Sequence, residues 1–382
     1  MNLGNTCYLN AQLECAYHIP FLRNLIINPV ATTSADADDE SSSNVGLASL
    51  QQLFRSMQNA SLRGNGDPAN TPSVSTSTLC RNLGINSYEQ QDSQEFWKLL
   101  LPELDYPNLS ELYRGHYESY IAALDGSGRE RSRKEIFLDL SLDVTNFDSV
   151  FGSLEDMFTS GEILSVKEGN GWRPEKGADK VEALKGNTVS SDGLPKVLQL
   201  HLMRFTYDVQ TQMMSKINDR FSFPKVRFLL IGCNMHCFMG KVCDFFANIL
   251  CLWQELDLSE ICKDEDTGDD VIFDLQSIVV HAGGYGSGHY YAYVRPDVRK
   301  NKWYRYDDDR VAEVSFKEVL NDAVGGHVVN RKAKKNREQM GLWKRILTSA
   351  SSNRNQFGWG GRSSSAYMLQ YVKRSAIPIL FD

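Results

Sequence analysis

Residues 134–144 read KEIFLDLSLDV. Ile136, Leu138, Leu140, Leu142 and Val144 alternate with mostly polar neighbours, and a two-residue period is that of a half-buried strand. Upstream the period is different. In CYLNAQLECAY, Leu9, Leu13, Ala16 and Tyr17 recur at helical spacing behind Thr6, a favoured N-cap residue, and Pro20 ends the first part. Further helices are predicted over about 47–57 and about 90–101, the second with Phe96, Leu99 and Leu100 on its apolar side. Downstream of 134–144 the strand period persists. VLQLHLMRFTYD (197–208), VIFDLQSIVVHAGG (271–284), GHYYAYVRP (288–296), KWYRYDDDRVAEV (302–314) and SAYMLQYVKRS (365–375) read as strands, interrupted by a short helix in SVFGSLEDMFTSG (149–161). Helices first and strands later predict an α+β chain rather than repeating βαβ units.

The chain has 382 residues, 42% apolar and 23% charged, so it can bury a full core without staples. Its net charge of −7 gives no support to nucleic-acid binding and favours protein partners. The first residues lack the pattern of a signal peptide, so the eight cysteines are expected to be reduced. No C-x-x-C pair is present, which argues against a zinc ribbon, and no metal or other cofactor is expected. The longest apolar tract, 228–253, is broken by Lys241 and Asp244, so no membrane span is expected. Residues 31–45, 60–78 and 330–365 read as polar loops.

Thiol catalysis needs a thiolate, a base that makes it, and a group that orients the base. Cys7, at a predicted helix start, has backbone N–H groups and a dipole that favour the thiolate. Taken alone, a buried inert cysteine is the plainer reading. Seven histidines compete as base, and His281 and His289 share the glycine-rich stretch VVHAGGYGSGHYYAY (279–293), where the backbone can turn tightly. Either could equally be a hydrogen-bonded turn residue. Asp307, Asp308 and Asp309 follow on the next strand, where a hairpin would bring one of them beside the histidine; solvated turn aspartates are the plainer reading for the others.

Several segments together carry a resemblance. NLGNTCYLNAQ (2–12) resembles the cysteine box of the ubiquitin-specific proteases, SYEQQDSQEF (87–96) their Q-x-D-x-x-E-F segment, GYGSGHYYAYV and KWYRYDDDRV their histidine box, and SAYMLQYV their last strand. LQLHLMRFTYDVQTQMMSKINDRFSFP (198–224) is similar to the herpesvirus-associated member of that family. The resemblance implies one papain-like, hand-shaped catalytic domain over 1–382, with a helical thumb (1–110) and an antiparallel palm and fingers (111–382). It implies a deubiquitinase that cleaves the isopeptide bond after the ubiquitin C-terminal glycine, monomeric, in nucleus and cytoplasm. It assigns Cys7 as nucleophile, His289 as base, Asp307 as its orienter, Asp308 as a polar helper and Asn2 as the oxyanion donor. Asp92 would bind backbone amides of the ubiquitin tail, and Tyr8, Gln91, Glu95, Phe205, Tyr290 and Tyr367 would line its channel.

Two departures from the family pattern bear on these expectations. Met1 stands where relatives carry a strand or loop ahead of the asparagine, so Asn2 is expected to fray and the oxyanion site to weaken; a weakened or inactive ubiquitin-binding module is the alternative reading. Residues 226–254 lose the resemblance and are expected to be an insertion or an unremoved intron, and the basic tract 330–365 is also atypical.

Overall fold

The computed structural model describes residues 2–29, 44–209, 212–223, 254–264, 268–326 and 363–382. Nearly all of the stretch expected to be an insertion (226–254), most of 330–365 and most of the 31–45 loop lie outside the described residues.

Helices come first, as the period predicts: α1 (Cys7–Tyr17), α2 (Pro20–Ile27), α3 (Val45–Arg63), α4 (Ser77–Asn82), α5 (Ser93–Glu103) and α6 (Pro107–Tyr113). Proline at the first position of α2 and α6 costs nothing there, because that N–H has no helical partner. Almost every side chain of α1 is buried, from Cys7 to Tyr17, because the helix lies between the other helices and a sheet. The expected helix at 90–101 begins instead at Ser93. Asp92 fixes the boundary: its Oδ1 accepts from the backbone N–H of Gln94 at 2.7 Å and of Glu95 at 3.2 Å, which leaves Gln90 and Gln91 outside the helix. Its buried stripe is Phe96, Trp97, Leu100 and Leu101, whereas Leu99 is 65% exposed.

The strands and remaining helices are β1 (Gly115–Ala123), β2 (Glu130–Phe137), β3 (Leu140–Leu142), α7 (Val150–Thr159), β4 (Gly161–Leu164), β5 (Ala183–Thr188), β6 (Val197–Leu202), β7 (Phe205–Asp208), β8 (Met213–Lys216), β9 (Glu255–Asp257), β10 (Ile272–Gly284), β11 (Ser287–Val294), β12 (Trp303–Asp307), β13 (Arg310–Val314), α8 (Phe316–Ala323), β14 (Ser364–Lys373) and α9 (Ile377–Phe381). They form a four-stranded antiparallel sheet in the order β2-β1-β5-β4 and a larger one in the order β13-β12-β11-β10-β14-β6-β3, with β9 on the N-terminal end of β10. The pairings of the large sheet are antiparallel except β3 with β6.

The stretch 134–144 is two strands in two sheets. Ile136 is exposed and Phe137 buried at the end of β2; the chain then crosses over, and Leu140, Leu142 and Val144 are buried beside β6. An unbroken alternation cannot show such a crossing. VLQLHLMRFTYD splits likewise at Met203-Arg204. The buried Arg204 guanidinium donates to the carbonyls of Asp219 (2.6 Å), Ile217 (3.2 Å) and Ala366 (3.3 Å), and β7 leaves the sheet to pair with β8.

The large sheet is covered on both faces. On β11, Tyr290, Ala292 and Val294 face the helices α1–α6, while Tyr291 and Tyr293 face α7, α8 and the second core. Leu198, Leu200 and Leu202 of β6 point to that second core and Val197 to the first. The site follows from this placement: the first residue of α1 meets the start of β11.

Candidate active site

Cys7 opens α1 and is 3% exposed. Thr6 precedes it as N-cap but makes no side-chain cap bond; its hydroxyl is used in the turn before the helix. There the Asn2 carboxamide oxygen accepts from the N–H of Gly4 (3.1 Å), the N–H of Thr6 (3.1 Å) and the Thr6 hydroxyl (3.2 Å). Asn2 Nδ2 donates to Asp308 at 3.1 Å. The expectation that Asn2 frays is therefore corrected: four hydrogen bonds hold its side chain.

His289 lies on β11. Its Nε2 is 2.5 Å from Asp307 Oδ1, and Cys7 is the ring's next electrostatic partner. The Asp307 hydrogen bond, then Cys7, raise the imidazole to about 10, so it is charged at neutral pH. Asp307 is lowered, first by His289 and then, against its desolvation, by Arg305. The Arg305 guanidinium donates to Asp307 Oδ2 at 2.7 Å and lies 4.2 Å from the Tyr291 ring centroid. The backbone N–H of Tyr290 reaches Cys7 Sγ at 3.4 Å.

Two questions left open by the sequence are settled by burial and distance. His281 is 3% exposed, packed against Tyr290 (4.7 Å) and Phe205 (5.3 Å), and desolvation holds it down to about 3. It is a neutral core histidine, and its ring explains Gly288, where a Cβ would sit 2.1 Å from His281 Nε2. Among the three aspartates, Asp307 ends β12 and faces His289. Asp308 and Asp309 form the turn to β13, Asp308 in the left-handed region (φ 56°) that aspartate tolerates. Asp308 is 3.9 Å from His289 and accepts from Asn2 and from Asn10 Nδ2 (3.1 Å); Asp309 is exposed.

The expected channel residues scatter. Asp92 caps α5 and accepts from the Tyr367 hydroxyl. Tyr367 (1% exposed) and Tyr290 (4%) stack edge to face at 5.6 Å, with half-buried Phe205 5.8 Å from Tyr367. Gln91 and Glu95 are exposed beside them at the start of α5. Tyr8 is corrected: it is fully buried against Phe96, so its side chain reaches no channel.

Sequence reasoning missed Gln90, whose Nε2 donates to the Gly288 carbonyl at 2.8 Å and reaches Cys7 Sγ at 3.7 Å. In an extended segment alternate residues share a side, so the cap at Asp92 pointed to Gln90 rather than Gln91. Asn10, which holds Asp308, sits one helical turn after Cys7 and was also missed.

His289, Asp307 and Asp308 bring ligand atoms within 4.8 Å of one another. One of these contacts is the 2.5 Å pairing of the imidazole Nε2 with Asp307 Oδ1. The model of the family described as ubiquitin carboxyl-terminal hydrolase matches residues 1–371.

The chain belongs to that hydrolase family.

Ubiquitin C-terminal hydrolase 12 of Arabidopsis thaliana is 31% identical over 98% of this chain and 29% of its own length. Ubiquitin carboxyl-terminal hydrolase 15 of Schizosaccharomyces pombe is 30% identical over 98% of this chain and 28% of its own, and ubiquitin carboxyl-terminal hydrolase 7 of Caenorhabditis elegans is 28% identical over 98% and 27%. The chain thus spans under a third of the length of the curated relatives it matches.

Proposed function

We propose that the chain is a deubiquitinating cysteine protease that hydrolyses the bond after the C-terminal glycine of ubiquitin. The observation that carries the reading is the His289 imidazole held between Asp307 and the thiol at the start of α1. His289, charged at neutral pH, already carries the proton of the Cys7–His289 pair, and the sulfur attacks the glycine carbonyl. Asn2 and the helix-start N–H groups stabilise the oxyanion, for which one well-aimed donor contributes about 3 kcal/mol. His289 then gives its proton to the leaving lysine amine. Water, deprotonated by His289, hydrolyses the thioester and frees the ubiquitin carboxylate.

Ubiquitin and ubiquitin-conjugated proteins are the proposed partners of a monomer working in nucleus and cytoplasm. In the hand-shaped reading, the helical part to about 110 is the thumb and the rest palm and fingers. The tract 198–224 supports kinship with the herpesvirus-associated branch. The exposed Gln91 and Glu95 and the half-buried Phe205 are the proposed rim of the tail channel, with Tyr290 and Tyr367 buried behind it.

A ubiquitin propargyl probe tests the activity. Adduct formation by the wild type and none by Cys7→Ala is expected. Absence of adduct in the wild type would favour a catalytically silent ubiquitin-binding module, and faster labelling by the probe of another modifier would reassign the substrate.

A further inference from the structure

Behind the proposed triad lies a carboxylate that the reaction itself does not use. Asp322 sits on α8 one turn after Val319, at the edge of the face that buries Phe316, Val319 and Ala323. It collects three hydroxyls from two strands of the large sheet. Tyr291 and Tyr293 of β11 donate to its Oδ2, the second at 2.9 Å, and Ser364 of β14 donates to Oδ1 at 2.6 Å. Lys216 of β8 feels its charge but directs its ammonium to the carbonyls of His281 and Ser363, both at 2.6 Å. Hydroxyls need an acceptor, not a charge; the charge has its effect one residue further on.

Tyr291 leads from Asp322 to the site. Its ring centroid lies 4.2 Å from the Arg305 guanidinium and 6.1 Å from the His289 ring. Arg305 Nε is buried with no hydrogen-bond partner, so the guanidinium is located by Asp307 Oδ2 at 2.7 Å and by that ring face. A phenol that donates to a carboxylate is polarised by it, and a more negative ring face holds a guanidinium harder. From this run of contacts we propose that Asp322 is a positioning residue of the reaction. Through the Tyr291 ring it holds Arg305 on Asp307, and so fixes the carboxylate that orients His289. The proposal rests on the cysteine-protease reading of the site. Because Asp322 acts through the triad and not on ubiquitin, its loss slows the chemistry and leaves binding alone.

The test pairs kinetics on a fluorogenic ubiquitin amide with a nitrogen-15 NMR titration of the His289 ring, assigned by its loss in His289→Gln. Asp322→Asn keeps the shape and one acceptor oxygen but removes the charge; Tyr291→Phe keeps the ring but cuts its link to Asp322. Each should lower kcat about threefold, the size of a weakened ring–cation contact, with KM unchanged. In an Arg305→Ala background neither should lower kcat further, because the contact they act through is gone. Ser364→Ala removes a bond to the same carboxylate with no route to Arg305; it should lower the melting temperature and leave kcat as it is. The His289 midpoint, about 10 in the wild type, should fall in Asp322→Asn and in Tyr291→Phe. The titratable groups facing that ring, Cys7, His281, Asp307 and Asp308, are untouched by either substitution. Should Asp322→Asn fail to keep the wild-type circular dichroism, Tyr291→Phe carries the test. An undiminished loss of kcat in the Arg305→Ala background, an equal loss in Ser364→Ala, or a His289 midpoint that stays in place overturns the role of Asp322. The titration needs no substrate. A chain that ignores ubiquitin while its midpoint falls in both variants keeps the link from Asp322 to His289 and overturns the protease reading instead.

Discussion

His289 is held by one partner that wants its proton and one that supplies it. Raised to about 10, the imidazole keeps its charge through neutral pH. Its contribution to stability is complete below the free value of about 6.5 and is lost as pH rises through about 10. Asp307, lowered, contributes above the free carboxyl range, and its share is lost as pH falls through its folded value. The alkaline limb of kcat/KM on a fluorogenic ubiquitin amide should accordingly lie well above that of a free imidazole. Asp307→Asn should bring it down towards about 6.5; a limb that stays in place would show that Asp307 does not set the charge. Arg305 acts through Asp307. It grips the second carboxylate oxygen while resting on Tyr291, which itself bonds Asp322 from behind. Arg305→Ala should lower kcat about tenfold, the worth of one hydrogen bond to a charged group, with KM unchanged. Arg305→Lys keeps the charge but not the planar fork, so it should fall between the two; an equal change in KM and none in kcat would move Arg305 out of this role. At this scale the sequence was only half legible. Residue type and order singled out Cys7, His289 and the aspartate triplet, and the two-residue spacing to Asp92 marked Gln90, but Asn10 and Arg305 act through distances that no spacing encodes.

Elements decide where those residues can sit. The hairpin of β10 and β11 closes over Gly283 and Gly288, which pairs directly with Gly283 across the strands. A Cβ on Gly283 would meet Ser287 O at 2.6 Å at a φ of 119°, and one on Gly288 would strike His281. Gly288→Ala must displace either the buried His281 ring or the backbone that places His289. It should cut kcat/KM at least tenfold, about 1.4 kcal/mol of transition-state stabilisation, and lower the melting temperature; wild-type kinetics would show that the ring gives way freely. The start of α5 does two jobs through Asp92, capping the helix and accepting from Tyr367. Asp92→Ala should cost about 1 kcal/mol in chemical denaturation, and Asp92→Asn much less, because asparagine caps as well. Similar losses for both would assign the cost to Tyr367 instead. The period of 93–103 announced a helix, but its first residue depended on a side-chain cap, and so did the side on which Gln90 emerged. Strand periods were legible too. The breaks at Leu138-Asp139 and Met203-Arg204 were not, because a chain that changes sheet keeps an apolar alternation on both sides of the crossing.

The molecule as a whole is organised by one sheet with a core on each face. Helices preceding strands were enough to predict α+β, but nothing local announced that β11 would send Tyr290 to one core and Tyr291 to the other. Both faces being buried is a property of what the rest of the chain brings to them. This sharing has a mechanical consequence. Cys7 belongs to the first core, and Trp303 to the second, where it stacks on Phe316 of α8 at 5.3 Å. Trp303 is 1% exposed at the start of β12, the strand that ends in Asp307. Trp303→Ala removes a large fully buried side chain, a change that costs about 3–5 kcal/mol. Were the two cores independent, the helical part with Cys7 would keep its melting temperature. Since both rest on the same strands, far-ultraviolet circular dichroism, dominated by the helices, and tyrosine fluorescence, weighted to the strands, should shift together to lower temperature. Helical signal that melts at the wild-type temperature while fluorescence is lost early would separate the cores and refute the shared-sheet account.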